Sequence, residues 1–359
     1  MIKINLLILI ISNLIFLVHS SILKLQCKIS QGVYSIILYT GTSLNSGTFI
    51  IDMESSVSLK SPSNNVEIYI DGLYNEQIEL LLEDRAINIP NFYFQSKPFF
   101  INYDSLSFTF LYQKSYTSLI ETLYQNKEIE KRIFGFSSNL SNKNYFYLGG
   151  IPDELVINNY LHEFKVVSGY KTWGFQLNEV CINMINFCYQ NEYYSFFNSN
   201  SKYIEVPKKF YNLLYEKVFL KFINEKKCNP NDEGFMVCDQ KVTNSIGAFT
   251  FEISKKIIKL NNNKLFQCIN DNKCTFLIKE NHIDKWEFGV SFMQHFSIFF
   301  DYDNKVISLF SKERFLNFKN ENKIKIIISY IATIEAIFGL MMLAFSVYKL
   351  KHERLIKNI

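Results

Sequence analysis

One stretch of the sequence places a carboxylate where acid–base chemistry is commonly carried out. In GTFIIDMESSVSLKSP (residues 47–62), a run of strand-forming residues ends at Asp52, and a pair of serines follows after two intervening residues. A carboxylate on a tight turn after a strand is suited to general acid–base catalysis. Met53 and Glu54, however, stand where such a turn is expected to carry small residues. Asp52 therefore either takes part in catalysis or is a relic that now accepts hydrogen bonds in a turn.

A long apolar segment lies near each end of the chain, and the two segments predict a secreted or membrane-anchored protein. Residues 1–20 carry a Lys near the start, then an unbroken apolar run that closes on small residues, which is the pattern of a secretory signal peptide. Residues 326–348 would measure about 34 Å as a helix at roughly 1.5 Å per residue, enough to cross a bilayer. The alternative for each end is a buried core helix. The basic residues 349–359 are expected to stay in the cytosol, as in a type I single-pass protein of the cell surface, a vesicle or a lysosome-like compartment.

The composition argues against several classes of partner and cofactor. A net charge of +4 with scattered lysines is too slight to predict nucleic-acid binding. The seven cysteines form no CxxC pair and the five histidines form no HxxH or HExxH spacing, so we expect no metal site and no cofactor. In an exported protein most of these cysteines should be paired in disulfides. Asn139 begins an Asn-Leu-Ser acceptor and is the expected glycosylation site.

The pattern between the two apolar ends is that of an all-β protein. Short apolar or alternating runs recur, separated by Gly, Asn, Asp, Ser and Pro. Helical periodicity is confined to residues 117–133 and 206–226. Each half of the chain repeats strands, a turn with an acid or amide, more strands and one helix. We therefore predict two similar β-lobes joined near residues 165–172.

The most specific stretch is WEFGVSFMQHFSIFFDYDNKVISLFS (286–311). It resembles the closing segment of the pepsin-like aspartic protease family. YLGGIPD (147–153) is similar to the turn that ends the first lobe of that family, and YDSLSF (103–108) stands where the family has DGILGL. The resemblance extends over residues 30–312. It implies an all-β, bilobed pepsin-like fold of two β-barrel-like lobes with a cleft between them, plus the C-terminal transmembrane helix, divided as 30–166 (N-terminal lobe) and 167–315 (C-terminal lobe).

In this family each lobe supplies one Asp on an Asp-Thr/Ser-Gly turn, and the two carboxylates share a proton and activate a water. The resemblance places Asp52 at the first catalytic Asp. Met53 then replaces the hydroxyl residue that ties the two turns together. Glu54 replaces the Gly that lets the backbone approach.

The second turn departs further from the family pattern. YYSFFNSNSKYIEVP (193–207) resembles the family segment that carries the second Asp, and Asn198 takes the place of that Asp. An amide does not titrate near physiological pH, so it cannot share the proton. Ser199 and Asn200 stand for the Thr and the Gly. The resemblance therefore predicts a family member whose catalytic pair is lost.

Two further assignments come from the same resemblance. Tyr69 stands at the place of the tyrosine on the flap hairpin, where it either contacts substrate or only packs the hairpin. Cys238 and Cys268 match the second-lobe disulfide of the family. Cys228 with Cys274 and Cys181 with Cys188 would then complete the pairing and leave Cys27 odd, although sequence alone does not fix the connectivity.

Three functions remain open at this stage. The first is a membrane-anchored pseudoprotease that keeps its cleft for a peptide or protein ligand. The second is an acid endopeptidase that tolerates Asn198. The third is a surface or adhesion protein in which the lobes are only structural and the cleft has no function. A competent catalytic pair needs two coupled titrations, and the two turns offer one Asp and one amide.

Overall fold

The computed structural model describes part of the chain. The described residues are 22–30, 32–40, 45–53, 58–60, 73–82, 86–96, 104–108, 118–138, 144–167, 172–183, 187–191, 194–270, 272–312 and 316–317. Some predictions lie outside them: the signal peptide 1–20, the span 326–348, the tail 349–359, Tyr69 and Asn139. Within the described residues, no helix is both long and apolar enough to span a bilayer.

Most of the described chain forms β-strands, as its alternating pattern predicts. The first half contains β1 (Leu23–Ser30), β2 (Val33–Thr40), β3 (Asn45–Asp52), β4 (Leu59–Lys60), β5 (Leu73–Leu81), β6 (Ala86–Ser96), β7 (Asp104–Ser107), β8 (Ile133–Ser138) and β9 (Asn144–Leu148). The second half contains β10 (Tyr160–Lys165), β11 (Gly174–Ile182), β12 (Phe187–Gln190), β13 (Tyr194–Phe197), β14 (Ile204–Pro207), β15 (Cys228–Pro230), β16 (Met236–Asp239), β17 (Phe249–Ile253), β18 (Lys256–Leu260), β19 (Phe266–Asn270), β20 (Lys273–Phe276), β21 (Ile278–Asn281), β22 (Trp286–Phe288), β23 (Ser297–Asp301), β24 (Val306–Ser311) and β25 (Leu316–Asn317).

The helices are short. They are α1 (Leu119–Gln125), α2 (Asp153–Asn158), α3 (Lys208–Leu214), α4 (Leu220–Asn224), α5 (Gln240–Ile246), α6 (Asn262–Leu265) and α7 (Val290–Met293), and a π-helical turn (Tyr215–Phe219) joins α3 to α4. The helix predicted over 206–226 is thus present with one irregular turn. The helix predicted over 117–133 stops at Gln125, because Lys127 adopts the left-handed conformation (φ 62°) and ends the helical path.

Three sheets organise these strands. A 12-stranded sheet has the order β10-β24-β23-β8-β9-β1-β2-β3-β7-β4-β6-β5. A 9-stranded sheet runs β21-β14-β22-β13-β11-β17-β18-β25, with β12 paired to β11, and a 4-stranded sheet runs β15-β16-β20-β19. The first sheet contains strands from both halves of the chain, because β23 pairs with β8 (Ile298 opposite Phe136).

The two halves of the chain share one strand arrangement, in keeping with the order of strands and turns that the sequence repeats in each half. In the first half β3 pairs in parallel with β7, and β4 pairs antiparallel with β7 and parallel with β6. In the second half β13 pairs in parallel with β22, and β14 pairs antiparallel with β22 and parallel with β21. Asp52 ends β3, and Asn198 immediately follows β13. The two turns of interest therefore occupy equivalent places in the two halves.

The disulfides correct part of the predicted pairing. Cys181–Cys188 is present, across β11 and β12, as predicted. The predicted Cys238–Cys268 bridge is wrong, and so is its companion Cys228–Cys274: the bonds are Cys228–Cys238 and Cys268–Cys274. In each rejected pair the two cysteines lie two strands apart. At about 4.8 Å per strand that is roughly 10 Å, beyond the ~7 Å over which a disulfide can form.

Candidate active site

The two turns are joined directly by a hydrogen bond between the halves. The Ser199 hydroxyl donates to the carbonyl oxygen of Ile51 at 2.5 Å, and both residues are fully buried. Ser199 follows Asn198 and Ile51 precedes Asp52, so this bond brings the predicted site residues to facing turns. Asp52 and Asn198 are also buried, with 1% and 6% of each residue exposed.

Only one of the two possible hydroxyl ties is present. Met53, the counterpart of Ser199 on the first turn, is fully buried, and its thioether has no hydrogen to donate. The first turn therefore lacks the hydroxyl hydrogen bond, as its sequence predicts, whereas the second turn makes this bond through Ser199.

Each turn is also held from behind by the strand that pairs in parallel with it. The Phe108 amide, just after β7, donates to the Asp52 carbonyl at 2.7 Å, and the Asn198 amide donates to the Phe288 carbonyl at 3.1 Å. Trp173 contacts the first of these supports and the strand that leads into the second turn. Its indole N–H donates to the Phe108 carbonyl at 2.8 Å, and its own carbonyl accepts from the amide of Phe197 at 3.2 Å.

The Asn198 side chain is hydrogen-bonded at both ends of its amide. Its Nδ2 donates to Oε2 of Glu287 at 3.0 Å, and its Oδ1 accepts from the backbone amide of Asn200 at 2.8 Å. The reversed amide orientation would set an oxygen against the carboxylate and an NH₂ against an N–H, so the hydrogen bonds select the observed one. The Asn198 side chain is thereby held by a carboxylate from outside the turn.

Glu287 is the site residue that our sequence interpretation missed. It lies on β22 between the buried aromatics Trp286 and Phe288, and only 9% of the residue is exposed. Successive residues of a strand point to opposite faces, so Glu287 faces away from the core that its neighbours fill. The available signal was an acid within an otherwise apolar strand segment.

The equivalent position in the first half is also polar. Ile50, two residues before Asp52, lies opposite Ser105 on β7. Phe196, two residues before Asn198, lies opposite Glu287 on β22, so Ser105 corresponds to Glu287. Ser105 is completely buried, and its hydroxyl has no hydrogen-bond partner among the described residues. Both strands behind the turns therefore carry a buried polar side chain.

The segment after the second turn is hydrogen-bonded to the N-terminal end of α7. Backbone amides of Gly289, Val290 and Ser291 donate to the carbonyls of Tyr203, Ser201 and Lys202 at 3.0, 2.8 and 2.9 Å. A Cβ at position 289 would lie 2.3 Å from two of those carbonyl oxygens, which explains the glycine. Val290, the first residue of α7, is buried and apolar.

One group of side chains is clustered closely enough to bind a metal ion, but its sulfur atoms are not available as ligands. Glu179, Cys181 and Cys188 place their ligand atoms within 4.8 Å of one another. Both sulfurs, however, are bonded to each other in a disulfide and are not thiolates. We therefore assign no metal to this group.

The Ser199 hydrogen bond gives a testable stability effect. Replacing Ser199 by Ala leaves the buried Ile51 carbonyl without this donor, and we expect unfolding free energy to fall by about 1–3 kcal/mol in urea titrations. Ser195→Ala is the matched control, since Ser195 is equally buried and its hydroxyl has no partner among the described residues. Equal losses in the two variants would show that the tie between the turns contributes nothing.

Comparison with known proteins supports the family suggested by the fold and the two turns. Residues 101–312 match the family described as eukaryotic aspartyl protease, more than half of the chain. This chain belongs to the eukaryotic aspartyl protease family. No curated protein matches it.

Proposed function

We propose that this protein is a membrane-anchored member of the family that no longer hydrolyses peptides and keeps its cleft to bind a peptide or protein. The observation that carries the proposal is the Asn198 amide, hydrogen-bonded by Glu287 at one end and by the Asn200 backbone at the other. Hydrolysis by this family requires two carboxylates that share one proton. An amide with both ends engaged can neither take nor give that proton.

The rest of the proposed architecture follows from the same family. Two lobes, 30–166 and 167–315, would form the cleft, and the repeated β3–β7 and β13–β22 arrangement supports them. Tyr69 would contact the ligand from the flap. The signal peptide, glycosylation at Asn139 and the membrane helix 326–348 remain proposals from the sequence. Three disulfides support the secretory pathway, where such bonds persist.

Glu287 supports a second candidate, an active acid endopeptidase. Its carboxylate lies 3.0 Å from the Asn198 amide, so a second acid is present beside the turn that lost one. Asp52 and Glu287 would then supply the two carboxyl groups that the reaction requires. Losing a properly placed acid–base partner lowers the rate by roughly 10²–10⁴-fold, so any such activity would be weak.

Cleavage of a denatured protein substrate at pH 3–6 separates the two candidates. The purified full-length chain, D52A and E287Q would be compared, with and without pepstatin, after circular dichroism shows that each is folded. We expect no pepstatin-sensitive cleavage from any of them. Cleavage that is lost in both variants would establish the second candidate. Cleavage lost in D52A alone would reveal a protease that works without Glu287, and would refute both.

The binding part of the proposal has its own test. The full-length chain would be incubated at neutral pH with an equimolar nonapeptide mixture, and retained peptides would be identified by mass spectrometry. We expect a retained subset that pepstatin displaces, because both would occupy the cleft. If nothing is retained, or if pepstatin displaces nothing, the cleft is not a peptide site and the surface-protein alternative takes its place.

A further inference from the structure

Four cysteines of the 4-stranded sheet form a single row across it. Cys228 lies opposite Cys238, Cys238 lies opposite Cys274, and Cys274 lies opposite Cys268. Directly opposed residues of an antiparallel pair point to the same face of the sheet. We call these four residues the cysteine row. The two disulfides join its outer pairs, Cys228–Cys238 and Cys268–Cys274, and leave the central pair unjoined.

The central pair is also close enough to be joined. The two disulfides have Cα–Cα distances of 4.1 and 3.9 Å, which belong to non-hydrogen-bonded pairs. In an antiparallel sheet a residue that is non-hydrogen-bonded on one side is hydrogen-bonded on the other. Cys238 and Cys274 are then a hydrogen-bonded pair, with a Cα–Cα distance of about 5.5 Å. That distance lies within the usual disulfide range of about 4.4–6.8 Å.

Access from solvent is confined to one end of the row. Cys268 is exposed, whereas Cys228, Cys238 and Cys274 are completely buried. Cys268 is therefore the residue of the row at which an external thiolate would attack. The thiolate released by that attack is Cys274, which lies opposite Cys238 on the neighbouring strand.

The geometry points to thiol–disulfide exchange along the cysteine row, driven by a small monothiol as reductant. The thiolate of the monothiol bonds to Sγ of Cys268, the Cys268–Cys274 bond breaks, and its electron pair stays on Cys274. The Cys274 thiolate then bonds to Sγ of Cys238, the Cys228–Cys238 bond breaks, and the Cys228 thiolate takes up a proton. A second monothiol releases Cys268 from its mixed disulfide.

The sum of these steps is balanced. Two monothiols are oxidised to one small disulfide, and one of the two protein disulfides is reduced to thiols at Cys228 and Cys268. The remaining protein disulfide moves to the centre of the sheet, between β16 and β20. Strand β15 loses its covalent link to β16. The turn that follows β15 stacks Phe235 on Tyr203 at a centroid distance of 4.4 Å, and Tyr203 belongs to the segment that follows the second site turn.

Limited reduction with 2-mercaptoethanol tests the exchange in the full-length chain. The reaction would be quenched in acid, and new thiols would be alkylated under denaturing conditions and mapped by mass spectrometry. We expect label on Cys228 and Cys268 and a new Cys238–Cys274 crosslink. Label on Cys268 and Cys274 with an intact Cys228–Cys238 bond would overturn the proposal. Cys181–Cys188 is the internal control, because it has no third cysteine opposite it and should label at both positions.

A variant removes the need for reductant. In C228S the Cys238 thiol is left opposite Cys274, and exchange would transfer the free thiol to the exposed Cys268. We expect native maleimide treatment to label Cys268 and to leave a Cys238–Cys274 bond. If the free thiol stays at Cys238 and Cys268 is not labelled, the exchange does not occur. Cys27 adds little background, since burial raises its pKa to about 12 and keeps it a thiol.

Discussion

Replacing Trp173 by Ala should lower the unfolding free energy by about 3–5 kcal/mol, the range for truncating a large buried aromatic side chain. Trp173 is completely buried. Its ring lies 5.0 Å from Phe300 and 5.6 Å from Phe134 between centroids, on β23 and β8, which join the two halves of the chain. Its indole also holds the Phe108 carbonyl, directly behind the first site turn. The variant should unfold at a much lower urea concentration.

Phe substitutions separate the hydrogen bond of Trp173 from its packing. Trp173→Phe retains most of the ring but leaves the Phe108 carbonyl without its indole donor, for an added loss of about 1–3 kcal/mol. The other tryptophan is the matched control. Trp286 is equally buried, yet its indole N–H has no acceptor among the described residues. The prediction fails if Trp286→Phe is as destabilising as Trp173→Phe.

Acidification should destabilise the fold through His295. Burial, and then the nearby charge of Lys264, lower the pKa of His295 to about 4, from an ordinary value of 6.5. Between these two values the unfolded chain binds a proton that the folded chain does not. Stability therefore falls as pH decreases from about 6.5 to about 4. At about 1.4 kcal/mol per pH unit, the full loss is roughly 3 kcal/mol.

The comparison of His295 with His295→Gln isolates this effect from the carboxylates that titrate in the same range. Urea midpoints would be measured at pH 7 and pH 4.5 for both chains. We expect the unsubstituted chain to lose more stability than the variant on acidification. The same loss in both would mean that His295 is not the residue responsible. A positive result would bear on the endopeptidase candidate, whose expected working range coincides with this loss of stability.

Much of the fold could be predicted from the sequence because its signals are local. Alternation of apolar and polar residues indicated strands, and the periodicity of residues 206–226 indicated a helix that is present over Lys208–Asn224 with a π-helical turn. The Cys181–Cys188 bond, expected only as a pair that completes the pairing of the other cysteines, spans the short hairpin of β11 and β12. The early end of α1 did not follow, since nothing in the apolar pattern reveals that Lys127 adopts a positive φ.

What could not be predicted depends on the register between distant strands. Family position favoured Cys238 with Cys268, but β16 and β19 are separated by β20, so the two cysteines are not neighbours. Glu287 was missed for the same reason. It lies 89 residues from Asn198, and only the parallel pairing of β22 with β13 brings its carboxylate to the second turn. The sequence motif identifies the residues of the turn, but the residue that hydrogen-bonds to the turn depends on which strands are paired in the sheet.

The shared 12-stranded sheet has a consequence for how this protein is made. Strand β8 pairs with β23, and Phe136 lies opposite Ile298. Ile298 is synthesised 162 residues after Phe136 (298 − 136), so β8 is made long before its partner strand. At a synthesis rate of roughly 5–20 residues per second, that interval is on the order of ten to thirty seconds. During this time the edge of β8 has no partner strand and is open to pairing with other nascent chains. A chaperone that covers β8 during translation should therefore raise the yield of correctly folded protein.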